Sequence, residues 1–185
     1  MRFLAISGSL RRVSVNTAVL RAAALLAPEG IEITLYEGLG DLPHFNPDLE
    51  ENEPPAVTDF RVQVREADGL LISSPEYAHG VPGSLKNALD WLVGGSEFID
   101  KPVVLLNATP PATWAQASLA ETVTVMSGRL VSEASISLSL RGKKLDAAGI
   151  AADPELAGPL CEAIAAFARA IEGLRSEAAA SMLDQ

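Results

Sequence analysis

The alternation of strand and helix patterns along the whole chain constrains the fold more than any other feature. Short apolar runs are followed by segments in which apolar residues recur every three or four positions. The predicted strands are residues 2–6, 31–35, 68–73, 103–106 and 130–138, and the predicted helices are residues 16–27, 57–67, 85–92, 115–127 and 156–174. Residues 176–185 are expected to fray. This alternation is typical of a parallel sheet with helices on both faces.

The length of 185 residues suits one domain, residues 1–185, and no segment has the composition of an interdomain linker. Because crossovers between parallel strands are right-handed, five such strands favour the order 2-1-3-4-5 in a three-layer αβα sandwich. A ligand is then expected at the carboxyl ends of strands 1 and 3, where the direction of winding reverses.

Composition narrows the class of partner and the location. The net charge is −10, and the adjacent basic pairs are Arg11–Arg12 and Lys143–Lys144, which does not favour nucleic-acid binding. No apolar stretch approaches the roughly 18 residues that span a membrane, and residues 1–8 have the pattern of a strand rather than a signal peptide. The expected location is therefore cytoplasmic. Cys161 is the single cysteine, and its apolar helical setting predicts a buried packing residue.

Polar groups are concentrated in the first loop, residues 7–17, between strand 1 and helix 1. It offers hydroxyl, amide and guanidinium groups from Ser9, Arg11, Arg12, Ser14, Asn16 and Thr17. Together with the amides of a helix N-terminus, these donors suit an anionic phosphate. The G-x-G-x-x-G and G-x-x-x-x-G-K-[ST] patterns are absent. Ser14 or Asn16 acting as a helix cap is an alternative that does not exclude phosphate binding.

The second loop, residues 74–82, follows strand 3 and is rich in residues that restrict the backbone. Pro75, Pro82 and Gly80 predict a stiff, tightly turned segment whose backbone can face a planar ring, and Tyr77 adds an aromatic surface.

Three motifs together resemble the NADPH-dependent FMN reductase family, which includes quinone, chromate and azo-dye reductases. They are Gly-Ser-Leu-Arg-x-x-Ser-x-Asn at 8–16, Pro-Glu-Tyr at 75–77 and Pro-Gly-x-Leu-Lys-Asn-Ala-x-Asp-Trp at 82–91. The likeness in layout extends over about residues 1–175, and it implies a flavodoxin-like fold.

The resemblance also implies the cofactor and its contacts. It implies that the FMN phosphate is held by Ser9, Arg11, Ser14, Asn16 and Thr17, and that the isoalloxazine is contacted by Pro75, Glu76, Tyr77, Ala78 and Gly80. Further along, it implies that Lys86, Asn87, Asp90 and Trp91 set the loop and helix against the sheet or a partner subunit.

The chain departs from its relatives in two places. Ala78 and His79 follow Pro-Glu-Tyr, where many relatives have Asn, and the third loop, residues 107–116, has two prolines and Trp114 where many have a Gly-rich segment. Trp114 is expected either to shape the pocket or to pack the start of helix 4. His44 and His79 lie far apart and no metal-binding pattern is present, so no metal site is predicted.

The predicted function is that of an FMN-dependent NAD(P)H oxidoreductase. Hydride passes from NADPH or NADH to FMN N5, and electrons then reach a quinone, a flavin or another small acceptor by a ping-pong mechanism. No catalytic side chain is required, because the cofactor carries the chemistry. The resemblance implies a homodimer or homotetramer. The alternative is a flavodoxin-type electron carrier without pyridine-nucleotide activity.

Overall fold

A computed structural model describes residues 1–110, 113–140 and 145–183, excluding the side chains of 181–183; Lys143 and Lys144 lie outside it. The strands are β1 (Arg2–Ser7), β2 (Glu32–Leu35), β3 (Gly69–Ser73), β4 (Pro102–Asn107), β5 (Arg129–Leu130) and β6 (Ile136–Ser137). The helices are α1 (Val15–Leu26), α2 (Pro55–Glu66), α3 (Gly83–Val93), α4 (Trp114–Val125), α5 (Ala147–Ala152) and α6 (Pro154–Leu183).

The sheet is parallel, and its order is β2-β1-β3-β4-β5, as predicted. Side chains of β1 alternate between the two faces. Phe3 and Ala5 pack in a cluster with α1, α5 and α6, whereas Leu4 and Ile6 pack in a cluster with α2, α3 and α4. The fold is therefore a flavodoxin-like three-layer sandwich with a core on each side of the sheet.

The fifth strand differs from the prediction of one strand over residues 130–138. A short 3-10 helix, Ser132–Ala134, separates β5 from β6, and both strands pair with β4. The hydroxyl of Ser135 accepts a hydrogen bond from the Leu105 amide at 3.1 Å and donates to the Val131 carbonyl at 3.0 Å. A side chain thus satisfies the β4 amide that a continuous strand would have bound, and the strand can break there.

The carboxyl-terminal part of the chain corrects two further predictions. Helix α6 continues to Leu183, through the segment that was expected to fray. Cys161 is exposed, because the buried stripe of α6 runs through Leu160 and Ile164, and the next position along the helix is rotated away from it. None of the described helices is long and apolar enough to cross a membrane.

The motif at residues 82–91, which includes most of α3, fixes the long loop between β2 and α2. Asn87 accepts from the Phe45 amide at 2.8 Å and donates to the Pro43 carbonyl at 2.9 Å. The indole of Trp91 donates to the same carbonyl at 2.8 Å. Lys86 and Asp90 form an ion pair along the helix. Asn87 and Trp91 therefore hold the loop against α3, whereas the Lys86–Asp90 pair lies within the helix.

Candidate functional site

A pocket of about 230 Å³ lies at the carboxyl ends of β1, β3 and β4. It is lined by Ser9, Arg11, Ser14, Val15, Asn16, Pro75, Glu76, Tyr77 and Thr109. The first two loops follow adjacent strands from which the chain winds in opposite directions, so the pocket occupies the position expected for a ligand in this topology.

The first and second loops begin in direct contact. The Gly8 amide donates to the Ser73 carbonyl at 2.8 Å, continuing the β1–β3 pairing by one bond. A Cβ atom at position 8 would lie 2.8 Å from the hydroxyl oxygen of Ser74, which is buried. Glycine is therefore required here by close packing between the two loops.

Two serine hydroxyls of the first loop are oriented by backbone amides. Ser14 is the N-cap of α1 and accepts from the Thr17 amide at 3.4 Å, and Ser9 accepts from the Arg11 amide at 3.4 Å. Because each oxygen accepts from the backbone, each hydroxyl proton can still be donated to a ligand. Ser14 thus caps the helix and also lines the pocket, so the cap leaves its hydroxyl accessible from the pocket.

Asn16 and Thr17 have different positions. The Ser73 hydroxyl lies 3.0 Å from Asn16 Oδ1 and 2.8 Å from the Leu106 carbonyl, so Asn16 lines the pocket while it connects α1 to the ends of β3 and β4. Thr17 is not part of the lining, and its hydroxyl lies 2.8 Å from that of Ser7. The structure therefore gives Thr17 a partner within the protein rather than a place in the pocket.

The second loop ends in an exposed turn. The Tyr77 amide donates to the Gly80 carbonyl at 3.1 Å, and the Gly80 amide donates back to the Tyr77 carbonyl at 2.9 Å. Ala78 and His79, between them, have φ values of 50° and 62°. Pro75, Glu76 and Tyr77 line the pocket, whereas Ala78 and Gly80 form the turn beyond the lining.

The third loop contributes a pocket residue that the sequence did not identify. Thr109 lines the pocket, and its amide donates to Asn107 Oδ1 at 2.9 Å. Its position just after β4 was the available signal, because that strand end borders the same crevice. Val15, the first residue of α1, was also missed. Trp114 is 62% exposed and stacks on His79 with 5.3 Å between ring centroids, so it neither lines the pocket nor packs into the core.

The two loops that line the pocket differ chemically. The first loop supplies the guanidinium of Arg11, the hydroxyls of Ser9 and Ser14 and the N-terminus of a twelve-residue helix. In the described part of the chain neither Arg11 nor Arg12 forms an ion pair with a carboxylate, so their charge is available to an anion. The second loop supplies the aromatic ring of Tyr77. The donor set fits a dianionic phosphate beside a flat ring, as in FMN.

Comparisons with known proteins agree with this geometry. The profile of the NADPH-dependent FMN reductase family matches residues 1–140. An NAD(P)H-dependent FMN reductase of Pseudomonas aeruginosa is 43% identical over 112 residues, covering 59% of this chain and 60% of that protein. A quinone reductase of Escherichia coli is 37% identical over 105 residues, covering 56% and 54% respectively. The chain thus spans little more than half the length of these two relatives.

A solved structure extends the similarity over nearly the whole chain. The flavoenzyme NAD(P)H:(acceptor) oxidoreductase FerB of Paracoccus denitrificans is 29% identical with a TM-score of 0.75, covering 93% of this chain and 97% of that one. Since the family profile also matches well over half of the residues, this chain belongs to the NADPH-dependent FMN reductase family.

Proposed function

We propose that the protein is an FMN-dependent NAD(P)H oxidoreductase. FMN held in this pocket would supply the chemistry, which is acceptance of hydride at N5 from NADPH or NADH and transfer of electrons to a quinone, a flavin or another small acceptor. The observation that carries this proposal is the pocket itself, which one loop lines with a guanidinium and two hydroxyls that can donate, and a second loop lines with an aromatic ring. The names of the relatives support the same chemistry.

The chain's own residues bind and orient in this proposal. Arg11, Ser9 and Ser14 hold the terminal phosphate, and Asn16 keeps the start of α1 aligned with β3. Pro75, Glu76 and Tyr77 present the second loop to the isoalloxazine. No group in the pocket is needed as an acid, base or nucleophile, because hydride transfer is chemistry of the cofactor.

We also propose ping-pong kinetics. In the part of the chain that the structure describes, one pocket is lined by loops that follow β1, β3 and β4, so the oxidised nucleotide is expected to leave before the acceptor takes its place. Parallel initial-rate lines are the expected result, and intersecting lines would mean that both substrates bind together.

Reduction by NADPH separates this enzyme from a flavodoxin-type electron carrier. The protein is saturated with FMN, freed of oxygen and mixed with NADPH or NADH in a stopped-flow instrument, and flavin absorbance is followed. If the protein is the enzyme, NADPH reduces the bound flavin faster than it reduces free FMN under the same conditions. If the protein is a carrier, FMN binds, but NADPH reduces it no faster than it reduces free FMN. Failure to bind FMN at all would reject both functions.

We further propose a homodimer or homotetramer in the cytoplasm. Support for assembly comes from three exposed apolar side chains, Val93, Ile99 and Val125, at or just after the ends of α3 and α4. The amide of Asp100 donates to the Ser127 carbonyl at 2.8 Å, which brings these two ends together. Sedimentation equilibrium is expected to give a mass of two or four chains, and a monomer at all concentrations would refute the assembly.

A further inference from the structure

The turn at the tip of the second loop has an unfavourable sequence for its geometry. Two reciprocal backbone hydrogen bonds join Tyr77 and Gly80, and both residues between them have positive φ. This is the pattern of a type I′ turn, which usually has Asn, Asp or Gly at the two central positions. Here they are Ala78, whose β-carbon disfavours the left-handed region, and His79, which adopts that region more often than most residues but less readily than glycine. Something outside the turn must stabilise it.

A ring stack supplies one such contact. The imidazole of His79 lies over the indole of Trp114 with 5.3 Å between centroids and an interplanar angle of 25°. Trp114 is 62% exposed, so core packing does not explain this arrangement. The contact joins the strained turn to the first residue of α4.

A carboxylate supplies the second contact between the same two elements. Glu76 Oε2 accepts from the Ala115 amide at 2.8 Å. Thr113, the N-cap residue of α4, makes no capping bond with its side chain, so the second loop caps the helix instead. A negative charge at this end also interacts favourably with the helix dipole.

We propose that His79 and Trp114 are positioning residues for the isoalloxazine end of the pocket. Their stack, with the Glu76 cap beside it, holds the Tyr77–Gly80 turn in its strained shape and thereby fixes Tyr77, which lines the pocket between the two contacts. The inference about the ligand rests on the proposed FMN function. The coupling of the turn to α4 stands on the ligand-free structure.

A comparison of riboflavin and FMN binding distinguishes contacts to the ring from contacts to the phosphate. Riboflavin has the ring but lacks the phosphate, so Trp114→Ala is expected to weaken riboflavin and FMN binding by the same factor, about two- to tenfold for a lost aromatic contact. His79→Ala should have a similar effect, and the double variant should be no weaker than either single one. Leu25→Ala, which removes an equally exposed apolar side chain on α1, is the control and should leave both affinities unchanged.

A rescue distinguishes positioning from a general loss of structure. Ala78→Gly relieves strain at one central position, so in the Trp114→Ala background it should recover part of the lost flavin affinity. Unchanged affinity in Trp114→Ala, a strictly additive double variant, or an effect on FMN alone would overturn the proposal.

Amide hydrogen exchange tests the coupling without any ligand. In the wild type the Gly80 and Ala115 amides donate to Tyr77 and Glu76 respectively, so both are expected to be protected. Trp114→Ala should speed exchange at both positions and leave the Gly8 amide, which bonds to Ser73, unaffected. Unchanged exchange at Gly80 would contradict the inference. If wild-type protein binds neither flavin, the proposed function fails, but this measurement still decides whether the stack holds the turn.

Discussion

The first and second loops form one pocket but are stabilised in opposite ways. Buried polar groups hold the first loop to the sheet. Ser7, at the end of β1, and Ser73, at the end of β3, both form hydrogen bonds to α1, and the partner of Ser73 there is Asn16. The second loop ends in an exposed turn with two positive φ values, which is held from the side by α4. The first loop is thus part of the sheet framework, whereas the second loop depends on a tertiary contact with α4.

The largest effect on FMN affinity is expected for a substitution in the first loop, where we propose that the phosphate binds. Arg11→Ala should weaken FMN binding by ~1.5–3 kcal/mol, the amount typical of a lost charged hydrogen bond, and leave riboflavin binding unchanged. Arg12→Ala is the matched control, because Arg12 is exposed and does not line the pocket. Fluorescence titrations of both flavins provide the measurement. A larger loss in Arg12→Ala would mean that the neighbouring guanidinium holds the phosphate.

Loss of a buried hydrogen bond beneath the first loop should lower the free energy of unfolding. Ser73→Ala leaves Asn16 Oδ1 and the Leu106 carbonyl without their buried hydroxyl partner, so we expect a loss of about 1–3 kcal/mol in the free energy of unfolding. Ser118→Ala, at an exposed position on α4, should change it by less than about 0.5 kcal/mol. Urea denaturation measures both. Equal stability of the two variants would show that the strand-end network is not important.

The cap between the second loop and α4 should have a moderate effect. Glu76→Ala removes the carboxylate that accepts from the Ala115 amide, so we expect about 0.5–2 kcal/mol of lost stability. Glu121→Ala, an exposed carboxylate later in α4, is the control. Thermal unfolding gives the comparison. If the control costs as much, then charge on the helix matters and the cap does not.

The smallest effect is expected on the rate at which NADPH reduces the bound flavin. His79→Ala and Ser74→Ala should still allow NADPH to reduce the flavin once FMN is saturating, because neither residue lines the pocket. Stopped-flow reduction measures this half-reaction without an acceptor. Complete loss of reduction in His79→Ala with FMN bound would show that a protein acid or base is required.

The sequence predicted the parts that depend on local periodicity and on motif position. Right-handed crossovers predict the strand order, and Ser14 before an apolar helical pattern predicts the cap of α1. The meeting of Arg11 and Tyr77 in one pocket follows from strands that end at a common edge. Contacts between distant segments could not be read in this way. The break between β5 and β6 depends on Ser135 reaching Leu105, and no periodicity records such a bond.

The same limit applies to the candidate site. Thr17 has a suitable side chain and spacing for phosphate, but its hydroxyl lies 2.8 Å from that of Ser7, ten positions earlier, and it does not line the pocket. Trp114 and His79 are 35 positions apart, and only the return of β4 beside β3 brings them together. Likewise, Cys161 lies in an apolar segment, yet its position on the helix turns it outward.

Phosphorus NMR of bound FMN tests most directly whether the first loop binds the phosphate independently of the second loop. We predict one phosphate resonance displaced from that of free FMN in the wild type, and the same resonance in Trp114→Ala at saturating cofactor, because the first loop is intact in both. In Arg11→Ala the resonance should move back towards free FMN. A bound-state resonance identical to that of free FMN in the wild type would place the phosphate in solvent and contradict the account.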